Sequence, residues 1–259
     1  MEYKNLIVKK RDDFLGIITL NRPKNLNTFT IELAKELKKA LESMDADPKI
    51  RVIILQGAGR AFCAGIDVSD FFDKSTKEYR EWVETMESPL VYISQMSKPV
   101  IAQVQGPAVA NGLGLVASCD LAIAAKNSKF GLTAINVGLN CVGPVIPVLR
   151  SIGRKRALEL LFLGNIIDAE EAHKIGLINR VVDVEKLEEE TLKIAKDLAN
   201  KSPIALQIAK KAFYTAEDMD YLKAFSYMNE VFARLCSTED AKEGVKAFLE
   251  KRTPEWKER

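Results

Sequence analysis

His173 is the single histidine in a chain of 259 residues. One imidazole per subunit excludes a multi-histidine metal site and leaves a single candidate for triad chemistry. It lies in Glu170-Glu171-Ala172-His173-Lys174, far along the chain from the glycine-rich loops described below, and reads as structural. Cys63, Cys119, Cys141 and Cys236 show no CxxC spacing and read as reduced thiols. Carboxylates are the remaining general acids and bases, and their layout is uneven. No Asp or Glu occurs between Asp120 and Glu159, while Lys126, Lys129, Arg150, Arg154, Lys155 and Arg156 stay in that stretch. Asp67 is expected to cap its loop, Asp70 to begin the following helix, and Asp120 to be structural at the start of a strand. Tyr79, Tyr92 and Trp82 read as packing residues.

Two glycine loops could act through their backbones instead. The first, Gly57-Ala58-Gly59-Arg60-Ala61-Phe62-Cys63-Ala64-Gly65-Ile66-Asp67, lacks the Gly-Lys-Ser/Thr ending of a P-loop. The second, Gly106-Pro107-Ala108-Val109-Ala110-Asn111-Gly112-Leu113-Gly114, matches a relaxed dinucleotide fingerprint through Gly112, Gly114 and Ala117. That fingerprint needs an acid roughly 20 residues on to hold a ribose, and the acid-free stretch removes it. Two readings remain: tight turns, or amides converging on a carbonyl as an oxyanion hole. Asn111 reads as a helix N-cap, and residues 113–117 as a buried helix.

The elements that would position these loops follow from periodicity. Residues 6–8 and 16–20 read as strands around the polar Arg11-Asp12-Asp13 turn. Leu33, Leu37, Ala40, Leu41 and Met44 have helical spacing. Residues 52–55 read as a strand buried on both faces. A polar helix over about 79–96 ends before Pro99, and strands follow at 100–104 and 121–125. This βα alternation predicts an α/β fold with a mostly parallel sheet. Beyond about Val184 only helices are expected, one capped by Ser202 with Pro203 at its first position. Another carries the stripe Leu222, Phe225, Met228, Phe232 and Leu235. Ser237 and Asp240 have capping-box spacing before a last helix, and Glu188-Glu189-Glu190 reads as a solvated face.

With 47% hydrophobic and 29% charged residues, the composition is that of a soluble globular protein able to bury a large core. A net charge of +2 argues against electrostatic nucleic-acid or membrane partners. The polar start Met1-Glu2-Tyr3-Lys4-Asn5 is unlike a signal peptide, so a cytoplasmic location is expected. Residues 99–125 carry one charge, Asp120, but Gln103, Gln105, Pro107 and Asn111 break them up, so a membrane span is not expected.

Several motifs in order then resemble a known family. Asn21-Arg22-Pro23, Asn27, residues 60–67, Val104-Gln105-Gly106, Ser118-Cys119-Asp120-Leu121, Phe130-Gly131, the turn at Gly176-Leu177-Ile178 and the ending Ala247-Phe248-Leu249-Glu250-Lys251-Arg252 are similar to the enoyl-CoA hydratase/isomerase, or crotonase, superfamily. The resemblance implies a crotonase-like spiral of ββα units over residues 1–195, with a helical trimerisation region over 196–259. It implies a homotrimer or hexamer, an acyl-CoA thioester as ligand, and no separate cofactor, since coenzyme A belongs to the substrate. It places the oxyanion hole at the backbone amides of Ile66 and Asn111. Ala64, Asp67 and Val68 would cradle CoA, Lys24 and Leu26 would line its entrance, and Phe232 and Lys251 would reach it, in many members from a neighbouring subunit.

The chain departs from the family at its acids. The two glutamates that hydratases use fall on Gly114 and Ala134, and an isomerase-type acid falls on Val142. None of these residues transfers a proton. Leu139, Asn140 and Cys141 lie near the second position and are expected at the acyl pocket together with Gly114 and Ala134. Asn140 could orient a water, and Cys141 could attack only if its pKa were lowered. The expectation is a hydratase-like enzyme acting on an unusual enoyl- or dienoyl-CoA. An isomerase or hydrolase using the same enolate, and an idle CoA-thioester binder, remain open.

Overall fold

The computed structural model describes residues 3–259; Met1, Glu2 and the side chain of Asp70 lie outside the described residues. In chain order the elements are β1 (Leu6–Lys10), β2 (Leu15–Leu20), α1 (Ile31–Asp45), β3 (Val52–Gly57), α2 (Thr76–Gln95), β4 (Val100–Val104), β5 (Pro107–Val109), α3 (Asn111–Ser118), β6 (Leu121–Ala125) and β7 (Lys129–Gly131). There follow α4 (Val145–Leu163), β8 (Ile167–Asp168), α5 (Ala169–Lys174), β9 (Arg180–Val182), α6 (Leu187–Ala199), α7 (Pro203–Ala216), α8 (Tyr221–Cys236) and α9 (Glu239–Glu250).

The larger sheet runs β1-β2-β3-β4-β6-β9, antiparallel at its first hairpin and parallel thereafter. Its central strands are apolar at every step because both faces are covered. Ile53, Leu55, Val100 and Ala102 pack with the buried stripe of α1 and with α2 and α3. Val52, Ile54, Ile101 and Ile123 point the other way, onto Leu187, Ala195 and Ala199 of α6. A small second sheet, β5-β7-β8, stands at the carboxyl ends of β3 and β4. The apolar stretch 99–125 therefore resolves into β4, β5, α3 and β6, and no helix among the described residues is long and apolar enough to cross a membrane.

Helix α2 runs through an internal proline. Pro89 lacks the amide that would bond the Thr85 carbonyl, and the Ser88 hydroxyl donates to that oxygen at 2.9 Å instead. The long helix α4 was not legible from periodicity. It joins two helical segments across Gly153, whose φ of 75° breaks the pattern. The expected cap of α9 also shifts by one residue. Thr238, not Ser237, accepts from the Ala241 amide, because Ser237 closes the last turn of α8 by donating to the Arg234 carbonyl. Asp240 does not cap; it is buried and accepts from Ser202 Oγ and from the amides of Lys257 and Glu258. The apolar stripe of α8 is left uncovered by this chain, with Phe232 65% exposed, as is Phe248 of α9 at 81%.

Candidate active site

Both glycine loops leave the carboxyl ends of buried strands and are stitched together there. The Cys63 amide donates to the Pro107 carbonyl at 3.1 Å, and the Val109 amide donates to the Cys63 carbonyl at 3.0 Å. Gly112 fits because a Cβ there would stand 2.0 Å from the Cys63 carbonyl oxygen. The first loop is also clamped from the Asn21-Arg22-Pro23 segment. Buried Asn27 donates to the carbonyls of Ala58 and Ala61 at 2.9 and 2.8 Å and accepts from the Arg22 amide.

This stitching leaves two amides pointing away from the backbone ladder. Ile66 pairs with Phe29 in a parallel bridge, whose bonds run from the Phe29 amide to the Gly65 carbonyl and from the Asp67 amide to the Phe29 carbonyl. The Ile66 amide is therefore on the opposite side from Phe29. The Asn111 amide is the first of α3 and has no intrahelical acceptor. Gly65 packs against Ala110, with 3.1 Å from an ideal Gly65 Cβ to the Ala110 Cβ, and the residues that follow them, Ile66 and Asn111, line the same cavity. Ala110 holds φ 50° and ψ −119°, a conformation that suits glycine, and it is fixed by its amide donating to the Gly131 carbonyl.

Asn111 is not the N-cap its residue type suggested. Ala110 occupies that place, and no side chain caps the helix. The turn at Ala110 puts residue 111 inside the helix, so its side chain leaves the backbone and enters the site. Asn111 is buried, and its Nδ2 has no hydrogen-bond partner.

These loops form one wall of a cavity of about 450 Å³. Ala64, Ile66, Val68, Asn111, Ala134, Leu139, Asn140 and Cys141 line it, as does Val142 at its rim. Of the expected acyl-pocket residues, Gly114 alone does not line it. The place its side chain would take is filled, since a Cβ there would lie 2.8 Å from Pro144 Cβ and 2.9 Å from Leu90 Cδ2. Asp67 is turned away as well, into an ion pair with Arg22 at 2.9 Å. Hydrogen bonds from Ser69 and then from Arg22 hold its carboxyl below the ordinary carboxylate value. Asp67 does cap its loop, accepting from the Ser69 amide. Lys24 and Leu26 stand at a one-turn helix outside the cavity, and Phe232 and Lys251 do not line it. Lys251 ends α9 in a left-handed conformation. Burial pushes the Cys141 thiol up, which suits a packing residue and not a thiolate nucleophile. Asn140 Oδ1 is engaged by the Cys141 amide at 2.8 Å. His173 Nδ1 lies 3.2 Å from the Ile178 carbonyl, in the turn around Gly176.

The residue at this cavity that could transfer a proton, Glu87, was missed in the sequence, as were several apolar lining residues. Tyr79, Val83 and Glu87 follow at four-residue steps on α2 and line the same cavity as the loops. The signal was present. Glu87 continues a line of inward-facing residues, and its neighbours at three and four residues, Val83, Glu84, Leu90 and Val91, include no cation. Among the described residues it has no ion-pair or hydrogen-bond partner, and burial raises its carboxyl above the ordinary value.

A sequence model described as enoyl-CoA hydratase/isomerase matches residues 11–259. The chain belongs to the enoyl-CoA hydratase/isomerase family. Among curated relatives, crotonyl-CoA hydratase of Syntrophomonas wolfei is 35% identical over 254 residues, covering 97% of each chain. The mitochondrial enoyl-CoA hydratase domain-containing protein 3 of Homo sapiens is 36% identical over 246 residues, covering 94% of this chain and 81% of that one. The solved enoyl-CoA hydratase of Mycobacterium smegmatis superposes with a TM-score of 0.95 at 34% identity, covering 98% of this chain and 99% of that one. The architecture is thus the crotonase fold. Against that family background, the side chains at 114 and 134 are a hydrogen atom and a methyl group.

Proposed function

We propose that this enoyl-CoA hydratase-like acyl-CoA enzyme holds the thioester oxygen of its substrate at the amides of Ile66 and Asn111 and stabilises it as an enolate. The observation that supports this reading is that both amides lack a backbone partner and both residues line one apolar cavity. Donors fixed in advance where negative charge develops do not reorganise during the reaction, and one such donor is worth about 10²–10³ in rate. The Ala64–Val68 backbone and the Lys24 and Leu26 region carry the CoA moiety, which is part of the substrate; no separate cofactor takes part. The substrate is an enoyl- or dienoyl-CoA other than the short straight-chain one, because the acids for ordinary two-glutamate hydration are missing from 114 and 134. Isomerisation or hydrolysis through the same enolate uses the same grip on the thioester.

A panel of straight-chain, branched and alicyclic enoyl- and dienoyl-CoAs, incubated in heavy water and followed by mass spectrometry, tests this reading. Turnover on at least one thioester is expected, with little on crotonyl-CoA. Binding without any turnover or deuterium uptake would instead establish the second reading, an idle thioester binder, which the missing acids favour. In the same assay Gly114→Glu is expected to gain no crotonyl-CoA hydration, since Pro144 and Leu90 occupy the space of its side chain. Growth of hydration in that variant would mean that position 114 can still host a working acid.

We also read the bare faces of α8 and α9 as the surface on which subunits assemble into trimers or hexamers, bringing Phe232 and Lys251 to a neighbour's CoA. Sedimentation velocity should then show no appreciable monomer at micromolar concentration; a monomeric species would remove this reading. Subunits of this kind would work in the cytoplasm.

A further inference from the structure

We propose that Glu87 of α2 is the catalytic acid–base of this site, supplying from a different helix the proton transfer that the residues at 114 and 134 lack. The proposal rests on the acyl-CoA reading above. Its geometry comes from the cavity that Glu87 lines together with Ile66 and Asn111. The Glu87 carboxylate lies in the space that any side chain at 143 would fill: an ideal Cβ on Gly143 would be 1.6 Å from Oε1 and 2.5 Å from Oε2. Glycine at 143 is therefore what lets the carboxylate lie there. The next residue, Pro144, is the one that packs against Gly114. The carboxylate thus lies against the residue that precedes the one packed on Gly114, and both Glu87 and Asn111 border the same cavity.

A structural carboxylate is normally paired. Glu84, one turn earlier, bonds Arg80 at 2.8 Å, whereas Glu87 has no partner among the described residues and is half-buried. Burial without a compensating cation is costly unless the group is used. The other described titratable groups at the cavity are Tyr79, which donates to the Phe71 carbonyl, and the Cys141 thiol. Helix α3 offers none. Lys35, Lys38 and Lys39 of α1 share an outer groove with Glu81 and Glu84, and Lys210 and Tyr214 of α7 are bonded to Asp120.

In the addition direction, the Glu87 carboxylate takes a proton from water as the water oxygen bonds to the electrophilic carbon of the conjugated acyl group. The π electrons move onto the thioester oxygen, held at Ile66 and Asn111. The oxygen's electron pair then reforms the carbonyl, and the substrate carbon takes the proton from the Glu87 carboxylic acid. One water is added and Glu87 returns as a carboxylate. The first step needs the ionised form. Because burial raises the carboxyl, activity should fall on the acid side at a pH above the ordinary glutamate value.

The test uses the full chain and the thioester that the wild type turns over best. Glu87→Gln is expected to lower kcat by at least about 100-fold, with KM within about threefold. Glu87→Asp should be slower than wild type yet keep an acid limb in its pH–rate profile, whereas Glu87→Gln should lose that limb. Gly143→Ala should cut kcat with Glu87 still present, by displacing the carboxylate. Wild-type turnover with Glu87→Gln retaining more than a tenth of kcat would overturn the assignment and leave the acyl-CoA reading standing. Equal losses in the Asp and Gln variants, together with lost thioester binding, would make Glu87 structural and overturn it too. Binding with no turnover by the wild type would overturn both.

Discussion

Turnover in Gly112→Ala is expected to fall by at least about 100-fold, the scale of losing an oxyanion donor. The methyl group must enter a space where the Cys63 carbonyl oxygen is 2.0 Å away, and backbone cannot swing aside as a flexible side chain does. Either α3 backs away from the first loop or the loop shifts. Both moves are expected to separate the Ile66 and Asn111 amides, whose loops are joined by the bonds of Cys63 to Pro107 and Val109. The overpacking itself should cost about 1–3 kcal/mol, so the folded protein can be isolated and assayed. Steady-state kinetics on the wild type's best thioester, beside a thermal melt, separates the two effects. A variant that keeps turnover within threefold would show that this contact does not set the amide geometry.

Asp120→Ala should be the most destabilising single change away from the site. Asp120 ties three elements together. It accepts from the Val100 amide at 2.7 Å, from Lys210 Nζ at 2.7 Å and from the Tyr214 hydroxyl at 3.1 Å. The Lys210 side chain is only 5% exposed, and its other described acceptor is the Lys98 carbonyl at 2.9 Å. Removing the carboxylate leaves a buried ammonium without a counter-charge, at a cost of about 3–5 kcal/mol. For a chain of this size that lowers the melting temperature by on the order of 10 °C. Asp120→Ala with Lys210→Met should recover much of the loss, because the stranded charge is gone. A single variant melting within 2 °C of wild type would show that solvent reaches Lys210 and replaces the carboxylate.

The fold was readable because its signals are local. Continuous apolar runs marked β3, β4 and β6, and four-residue spacing marked α1. The ordered motifs carried the family resemblance that the comparisons bear out. Asp120 and Asp67 kept the structural roles their positions suggested, one under α7 and the other capping its loop. Features set by tertiary contact were not readable. Whether Gly114 faces the cavity depends on where Pro144 and Leu90 come to rest, thirty residues after it and twenty-four before. Asn111 has the chemistry of a cap, but the positive φ of Ala110 places the helix start one residue earlier. Glu87 was hidden for the opposite reason. On a helix with many charges it looks like one more surface acid unless its cation-free neighbours at three and four residues are weighed, and the approach of Gly143 shows where its carboxylate lies.

Helix α2 packs against α3, and this contact has a consequence for selectivity. The amides that we propose hold the thioester belong to the glycine loops and α3, whereas Glu87, unpaired among the described residues, rides on α2. Electrophile and proton carrier are thus not linked by one rigid segment. A small slide of one helix on the other would change which acyl carbon faces the acid while leaving the thioester grip intact. Regiochemistry, such as protonation next to the carbonyl or at the far end of a diene, would then be tuned by residues between the helices, such as Leu90, which packs against Gly114.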